Sequence, residues 1–268
     1  LLTEISIPNR ILVDERQQNF IVSQDGKWGY VYNFSPASSV NVVDLTKRKF
    51  VQTVELPGCA ALIPNPGVGF SALCSDGTMA TVASPGGKAK ITHSASFFAA
   101  TDDPIFENFV YDKAKNLAIF VSYTGLVYTA KMGASPEISA PFSLQEAAGY
   151  AAAVTRPLSV DWYPGTRQPM AYDPKAGELY VLMHMGEYWS HKEAGEEIWV
   201  LDVSQRKVVR RLPLEDHAAH IGVAGDAVPL VFVNDGEGEG RILDGKTGKE
   251  LHSISMAGSG IISAKPGS

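Results

Sequence analysis

The sequence predicts an all-β chain, a β-propeller with about five blades present. Three observations lead there. Short apolar runs rich in β-branched and aromatic residues, such as Leu179-Tyr180-Val181-Leu182-Met183 and Ile198-Trp199-Val200-Leu201-Asp202, are bounded by turn residues. Antiparallel strands read this way. An aspartate repeatedly closes a run and opens a turn, as in Val42-Val43-Asp44, Val200-Leu201-Asp202 and Ile242-Leu243-Asp244. The whole pattern recurs every ~40–60 residues, the period of a four-stranded blade. One blade cannot bury both of its faces, so stacking against neighbours has to supply the core.

Taken in order, the first unit spans residues 9–57. It reads as strands over Ile11–Asp14, Asn19–Ser23, Trp28–Phe34, Val40–Leu45 and Phe50–Leu56. The second, 58–94, carries both cysteines and the turns Pro64–Gly67 and Ser75-Asp76-Gly77. The third, 95–140, places a turn at Asp102-Asp103-Pro104 before a strand over Ile105–Val110, then strands over Leu117–Tyr123 and Gly125–Thr129. Residues 141–158 form an insertion whose alanine-rich part, Leu144–Val154, predicts a short helix. The fourth unit, 159–214, has Val208–Leu214 as an outer strand, with Val208, Arg210 and Leu212 on one face and Val209 and Arg211 on the other. The fifth, 220–256, runs through Leu230–Asn234, Gly240–Asp244 and Glu250–Met256. Gly260–Ser263 reads as the first strand of a further unit, and Glu4–Pro8 as the end of a preceding one. Two incomplete ends predict a ring larger than this chain, with N-terminal blades missing.

Composition narrows the function classes. With 268 residues, 45% hydrophobic and 19% charged, the chain can bury a sizeable core. Its net charge is −6, and its basic clusters are Lys47-Arg48-Lys49 and Arg210-Arg211. Neither offers the basic, aromatic-interleaved platform of a nucleic-acid binder, so no nucleic-acid partner is expected. No apolar run approaches the ~18 residues of a membrane span. The two cysteines, Cys59 and Cys74, flank a hairpin-like segment. They leave three readings open: a disulfide, two inert buried thiols, or half of a metal site.

Chemical motifs are sparse. There is no GxSxG elbow, phosphate-cradling Walker loop or HExxH pair. His93, His217, His220 and His252 are scattered. His184 and His191 flank one segment with Glu187, Glu193 and Glu196, which reads either as a polar loop at a blade top or as a metal or acid–base site. Asp102-Asp103 reads as a turn or as a carboxylate pair for proton transfer. Gly236-Glu237-Gly238-Glu239-Gly240 is a hairpin loop, because its carboxylates would repel a phosphate. Trp162-Tyr163-Pro164-Gly165 is an aromatic turn that packs under a loop or meets a ligand. These residues alone imply a propeller scaffold. The alternative is a stand-alone binding propeller or a metal-dependent hydrolase or lactonase, and fold class does not choose between them.

Several stretches, in order, resemble the heavy subunit of the quinoprotein amine dehydrogenases, and more the aromatic amine branch than the methylamine one. They are Pro57-Gly58-Cys59, Ile63-Pro64 and Cys74-Ser75-Asp76-Gly77; Asp102-Asp103-Pro104-Ile105-Phe106; Phe120 to Tyr128; Trp162-Tyr163-Pro164-Gly165; and His191-Lys192 followed by Glu197 to Asp202. The resemblance implies a seven-bladed propeller, a Cys59–Cys74 disulfide and a periplasmic location. It implies a quinone-bearing light subunit as partner, with the tryptophan tryptophylquinone and the catalytic base in that subunit. This chain would then have no catalytic, cofactor-binding or metal-binding residue of its own. Primary amine would be oxidised to aldehyde and ammonia, and electrons passed to a small copper protein. Asp102, Asp103, Phe106, Trp162, Pro164, Gly165, His191 and Lys192 would belong to subunit-interface or channel loops. The four tryptophans, Trp28, Trp162, Trp189 and Trp199, would not be cofactor precursors. Two features depart from the family pattern: Thr166 stands where a second glycine is expected, and Gly186 to Ser190 is unusually aromatic.

Overall fold

The computed structural model describes residues 3–8, 16–67, 69–83, 86–225 and 227–264. The strand expected over Ile11–Asp14 lies outside them. Among the described residues, five antiparallel sheets follow one another along the chain. The first holds β1 (Phe20–Val22), β2 (Trp28–Asn33), β3 (Ser39–Asp44) and β4 (Lys49–Glu55). The second holds β5 (Cys59–Pro64), β6 (Gly69–Cys74), β7 (Met79–Ala83) and β8 (Lys90–His93). The third holds β9 (Val110–Asp112), β10 (Leu117–Val121), β11 (Leu126–Lys131), β12 (Glu137–Ile138) and β13 (Phe142–Ser143). After one helical turn, α1 (Leu144–Ala147), the fourth holds β14 (Val160–Pro164), β15 (Met170–Asp173), β16 (Glu178–Glu187), β17 (Gly195–Asp202) and β18 (Lys207–Ala218). The fifth holds β19 (His220–Ala224), β20 (Leu230–Asn234), β21 (Gly240–Asp244) and β22 (Glu250–Ile254).

The chain forms two compact units, residues 1–107, 111–118 and 129–140, and residues 108–110, 119–128 and 141–268. In the first unit, Tyr30, Val40 and Val42 share a core with Leu62, Phe70 and Ala72 of the second sheet. The Tyr30 and Phe70 rings lie 4.9 Å apart between centroids. In the second unit, Tyr180, Leu182, Ile198 and Val200 pack with Ile221, Val231, Val233 and Leu243. Alternate residues of each strand enter these cores, as the two-residue period of a strand demands.

The recurring aspartate has a local physical cause. Asp44, Asp112, Asp173, Asp202 and Asp244 each end a strand, and each accepts backbone N–H groups from its own turn: Lys47 onto Asp44 at 2.8 Å, Gln205 onto Asp202 at 2.9 Å, Thr247 onto Asp244 at 2.9 Å. Four residues after each aspartate the backbone is left-handed, at Arg48, Asn116, Gly177, Arg206 and Gly248. The amide bonds hold the Asp44, Asp202 and Asp244 carboxyls below the usual carboxylate range. A short acceptor side chain that folds back on its own turn is the reason aspartate suits this position.

Cys59 and Cys74 face each other across β5 and β6 and are joined as a disulfide, as the resemblance implied.

Four expectations need correction. The outer strand β18 does not alternate throughout. Leu201 faces Val208 and Val200 faces Arg210, so Val209 is an extra residue, and Val208 shares its face with Arg211 rather than Arg210. The same bulge recurs at Val51 in β4 and Leu251 in β22, each just after an aspartate turn. No strand runs over Ile105–Val110. Beyond an isolated bridge at Ile105, strand structure starts at Val110, because the chain bends at Glu107 and Asn108, where the Asn108 side chain donates to Arg167 O at 2.6 Å. The helix expected over Leu144–Val154 is a single turn. Ser143 caps it by accepting from Glu146 N, and Gly149 ends it in a left-handed conformation. Gly260–Ser263 makes no strand ladder. Instead the Gln168 side chain bonds both backbone groups of Ile262, accepting from its N–H at 2.7 Å and donating to its carbonyl at 2.8 Å.

Candidate functional site

The connection from β16 to β17 carries His191 and Lys192, and Gly165 of the same unit lies against it, where a Cβ would stand 2.4 Å from Glu193 O. β14 enters from Val160 and pairs with the far half of β16, so that Tyr163 faces His184 and Trp162 faces Met185. The chain then leaves the ladder at Gly165 and Thr166 before β15 pairs with the other half of β16. Thr166 has φ +90°, a backbone that favours glycine, which explains why glycine is the expected residue there. Its side chain compensates in part: Thr166 Oγ1 donates to Ala219 O, and Thr166 N–H donates to His191 O at 2.8 Å.

That bond places His191. Its ring stacks on Tyr123, with centroids 3.9 Å apart and planes 17° from parallel. Trp189 sits edge-on to both rings, 5.7 Å from each, and Tyr188 leans on Trp189 at 5.0 Å. Trp189 is nevertheless 46% exposed and has φ +75°. A bulky side chain in the left-handed region is strained, so the surrounding contacts must hold it there. Burial holds His191 below its ordinary value, and the neighbouring Lys192 charge adds to the effect.

His184 is not in the loop but in β16, with its ring buried. Nε2 lies 2.8 Å from Ser190 Oγ. His184 and His191 are therefore committed to different partners, and do not face one common point as a ligand pair would. Among the described residues, no group of three or more His, Cys, Asp or Glu side chains is placed to hold a metal ion. Glu196 is also engaged, accepting from Met185 N–H at 2.7 Å.

Trp162 belongs to a second cluster on the same sheet. It packs 5.6 Å from Trp199, and the Arg211 guanidinium lies over Tyr150, Trp162 and Trp199 at 5.2, 5.0 and 4.9 Å. Glu197 takes two bonds from Arg211, at 2.7 and 2.8 Å, and one from Trp199 Nε1 at 2.8 Å. This is an aromatic box whose cation is already supplied by the protein. Trp162 and Trp199 are thus taken up in packing, and so is Trp28, which lies against Gly86, where a Cβ would stand 2.3 Å from its ring.

Of the remaining site residues, Pro164 is buried in β14 opposite Met183, and Lys192 is exposed beside His191. Asp102, Asp103 and Phe106 lie in the first unit, Asp102 exposed and the other two buried. The sequence reading held Tyr123 only as part of the stretch Phe120 to Tyr128, and missed its stacking on His191, the bond from His184 to the loop and the strain at Trp189. The aromatic run Gly186 to Ser190 was the only local signal for them.

Comparison with known proteins assigns the family. The family model for the methylamine dehydrogenase heavy chain matches residues 1–264. The chain belongs to the methylamine dehydrogenase heavy chain family. Among its relatives, the methylamine dehydrogenase heavy chain of Paracoccus versutus is 28% identical over 97% of this chain and 60% of its own length. That of Methylobacillus flagellatus is 28% identical over 96% of this chain and 64% of its own. The chain therefore spans somewhat under two thirds of the relatives it matches. Solved structures agree on fold. The Dos1 propeller superposes with a TM-score of 0.59 at 12% identity, covering 94% of this chain and 63% of that one. The dihydro-heme d1 dehydrogenase NirN superposes with a TM-score of 0.52 at 16% identity, covering 88% of this chain and 56% of that one. With five successive antiparallel sheets among its described residues, this member of the methylamine dehydrogenase heavy chain family is all-β and of the propeller class.

Proposed function

We propose that the chain is the large, non-catalytic subunit of a periplasmic amine dehydrogenase, and that the loop carrying Trp189 is part of the surface that docks its quinone-bearing light subunit. The observation that carries the docking role is Trp189 itself: 46% exposed, strained, and braced by Tyr123, Tyr188 and His191. An exposed, rigidly held tryptophan costs little further entropy on binding and is a frequent centre of interface energy. Membership of a heavy chain family supports a light partner.

In this reading the light subunit's tryptophan tryptophylquinone supplies the two-electron oxidation of a primary amine to aldehyde and ammonia, and a small copper protein receives the electrons. The role of this chain is to position and enclose. Trp162, Pro164, Gly165, His191 and Lys192 on the second unit, and Asp102, Asp103 and Phe106 on the first, are the proposed interface or channel positions. The Cys59–Cys74 disulfide supports the periplasm, since disulfides persist in oxidising compartments. The ordered sequence stretches support a seven-bladed ring, of which five sheets are described, and an aromatic amine as substrate.

The test is purification of the native protein followed by a redox-cycling quinone stain of its separated polypeptides. The expected result is a stained small polypeptide that travels with an unstained large one, and a dye-linked amine oxidation that favours aromatic over short aliphatic amines. A large chain that purifies alone and quinone-free would overturn the assignment. Preference for methylamine would overturn only the substrate class.

A further inference from the structure

One buried histidine ties the middle of the loop that carries Trp189 to β16. His184 is 2% exposed, and its ring fits a slot bounded by two glycines. A Cβ on Gly165 would stand 2.5 Å from Nδ1, and a Cβ on Gly186 would stand 3.1 Å from Cδ2. At Gly165 the ring therefore leaves no room for a side chain, whereas at Gly186 the closest atom is Ser190 Oγ, at 2.7 Å, and the ring is a tight neighbour. At the outer end of the slot, Nε2 meets Ser190 Oγ at 2.8 Å. The Ser190 hydroxyl gives its single proton to Glu187 O. Nε2 must therefore be the protonated nitrogen, and Nδ1 the bare one. Nδ1 is buried and has no hydrogen-bond partner. Ser190 is the hub of the loop: its N–H donates to Glu187 O at 3.1 Å, and it accepts from Glu193 N–H at 2.9 Å. Trp189 and His191 are its chain neighbours.

The slot fits a neutral imidazole. An imidazolium would bury a second N–H with no acceptor, which is costly. Burial holds His184 below its ordinary value. Of the charged and titratable groups around it, Glu193 and Glu196 pull the other way, and His191 and His217 add to the lowering. Lys192 and Glu187 flank the same loop.

We propose that His184 is the positioning residue of this loop, a latch that keeps Trp189 presented while the imidazole is neutral and releases it when the ring is protonated, so that association with the partner is gated by pH. The proposal rests on the reading of this loop as the docking surface. The direction of the gate follows from linkage. With the loop open, His184 titrates near the ordinary value of about 6.5. With the loop closed it binds its proton less readily. The closed form is therefore fully favoured above about pH 6.5 and loses ground as pH falls below that toward the closed-loop value.

The test uses the full chain as wild type, His184→Gln and His184→Ala. Hydrogen exchange at residues 188–193, corrected for the intrinsic pH dependence of exchange, reads the loop. Co-migration with the quinone-bearing light subunit reads docking. In the wild type, loop protection should fall roughly tenfold for each pH unit below the open-loop value until the closed form itself titrates, while β17 stays protected. His184→Gln keeps a donor for Ser190 and cannot titrate, so its loop should stay protected at every pH. His184→Ala should be unprotected throughout; if it fails to fold, the glutamine variant decides alone. A flat wild-type profile, or the same pH dependence in His184→Gln, overturns the latch. Loop release at acid pH with unchanged light-subunit binding overturns the gating. If wild type binds no light subunit at any pH, the subunit assignment fails while the exchange data still judge the latch.

Discussion

At one end of the fourth sheet, Asp173 and Asp202 each gather amides of their own turn onto a carboxylate. At the other end, the connection from β16 to β17 is held by a buried histidine, a stacked tyrosine and a backbone bond from Thr166. The fifth sheet lacks this second kind of end: its β20–β21 connection is closed by Asp235, which accepts from Glu237, Gly238 and Glu239 N–H. The aspartate ends satisfy their polar groups within a few residues and present no large apolar side chain. The loop end draws its support from Tyr123, Gly165, Thr166 and His184, and it exposes a tryptophan. The end that needs distant help to hold a strained residue in solvent is the one proposed above for contact with a partner, whereas the locally satisfied end only has to turn the chain.

The largest difference should appear on adding one methyl group at each end. At Gly165 the new Cβ would stand 2.4 Å from Glu193 O and 2.5 Å from His184 Nδ1. Overpacking of this kind costs about 1–3 kcal/mol, and it should displace the loop. At Gly177, in the Asp173 turn, φ is +72° and nothing lies within 4 Å of the new atom. Gly177→Ala should lose only about 1 kcal/mol from the left-handed backbone. Denaturant midpoints of the two variants measure the gap, and equal losses would mean that the loop end is not tightly packed.

Removing an aspartate should have a smaller effect with a clear pH signature. Asp202→Ala leaves Gln205 N–H without its acceptor, at a cost of about 1 kcal/mol by analogy with helix caps. The backbone bond from Gln205 and the Ser204 hydroxyl hold the folded carboxyl below its ordinary range. Its contribution is therefore present above the unfolded value of about 3.9 and is lost as pH falls through the folded one. Wild type and Asp202→Ala should differ in midpoint at pH 7 and converge under acid. A constant difference down to pH 2, roughly two units below the unfolded value, would show that the carboxylate is not the acceptor that matters.

The same contrast explains what could be read from the chain in advance. The aspartate turns, the strands around them and the facing cysteines follow from residues close in sequence, through turn chemistry and two-residue alternation. The bulges at Val51, Val209 and Leu251 escaped because an extra residue changes no residue type; it only shifts which neighbour each side chain meets. The single-turn helix escaped because alanine content favours a helix while Gly149 ends it. At the candidate site, Gly165, His191 and Lys192 were visible as a motif. Their geometry was not, because it depends on Tyr123 stacking from another sheet and on backbone angles at Thr166 and Trp189 that side-chain identity does not announce.

Trp189→Gly should have the smallest effect on stability, and it separates folding from contact most sharply. Glycine adopts φ +75° without penalty, so the change relieves a left-handed strain of about 1–2 kcal/mol. It also removes the ring contacts with Tyr123, Tyr188 and His191, each worth about 0.5 kcal/mol for a ring this exposed. The two effects oppose each other at similar size, and the ring is nearly half exposed, so little transfer energy is lost. The unfolding free energy should change by less than about 1 kcal/mol in either direction. Affinity for the light subunit should fall by far more, since truncating a central interface tryptophan commonly costs about 2 kcal/mol or more, some thirtyfold in Kd. A marked loss of stability with unchanged affinity would make Trp189 a packing residue after all, and would erase the distinction between the two ends of the sheet.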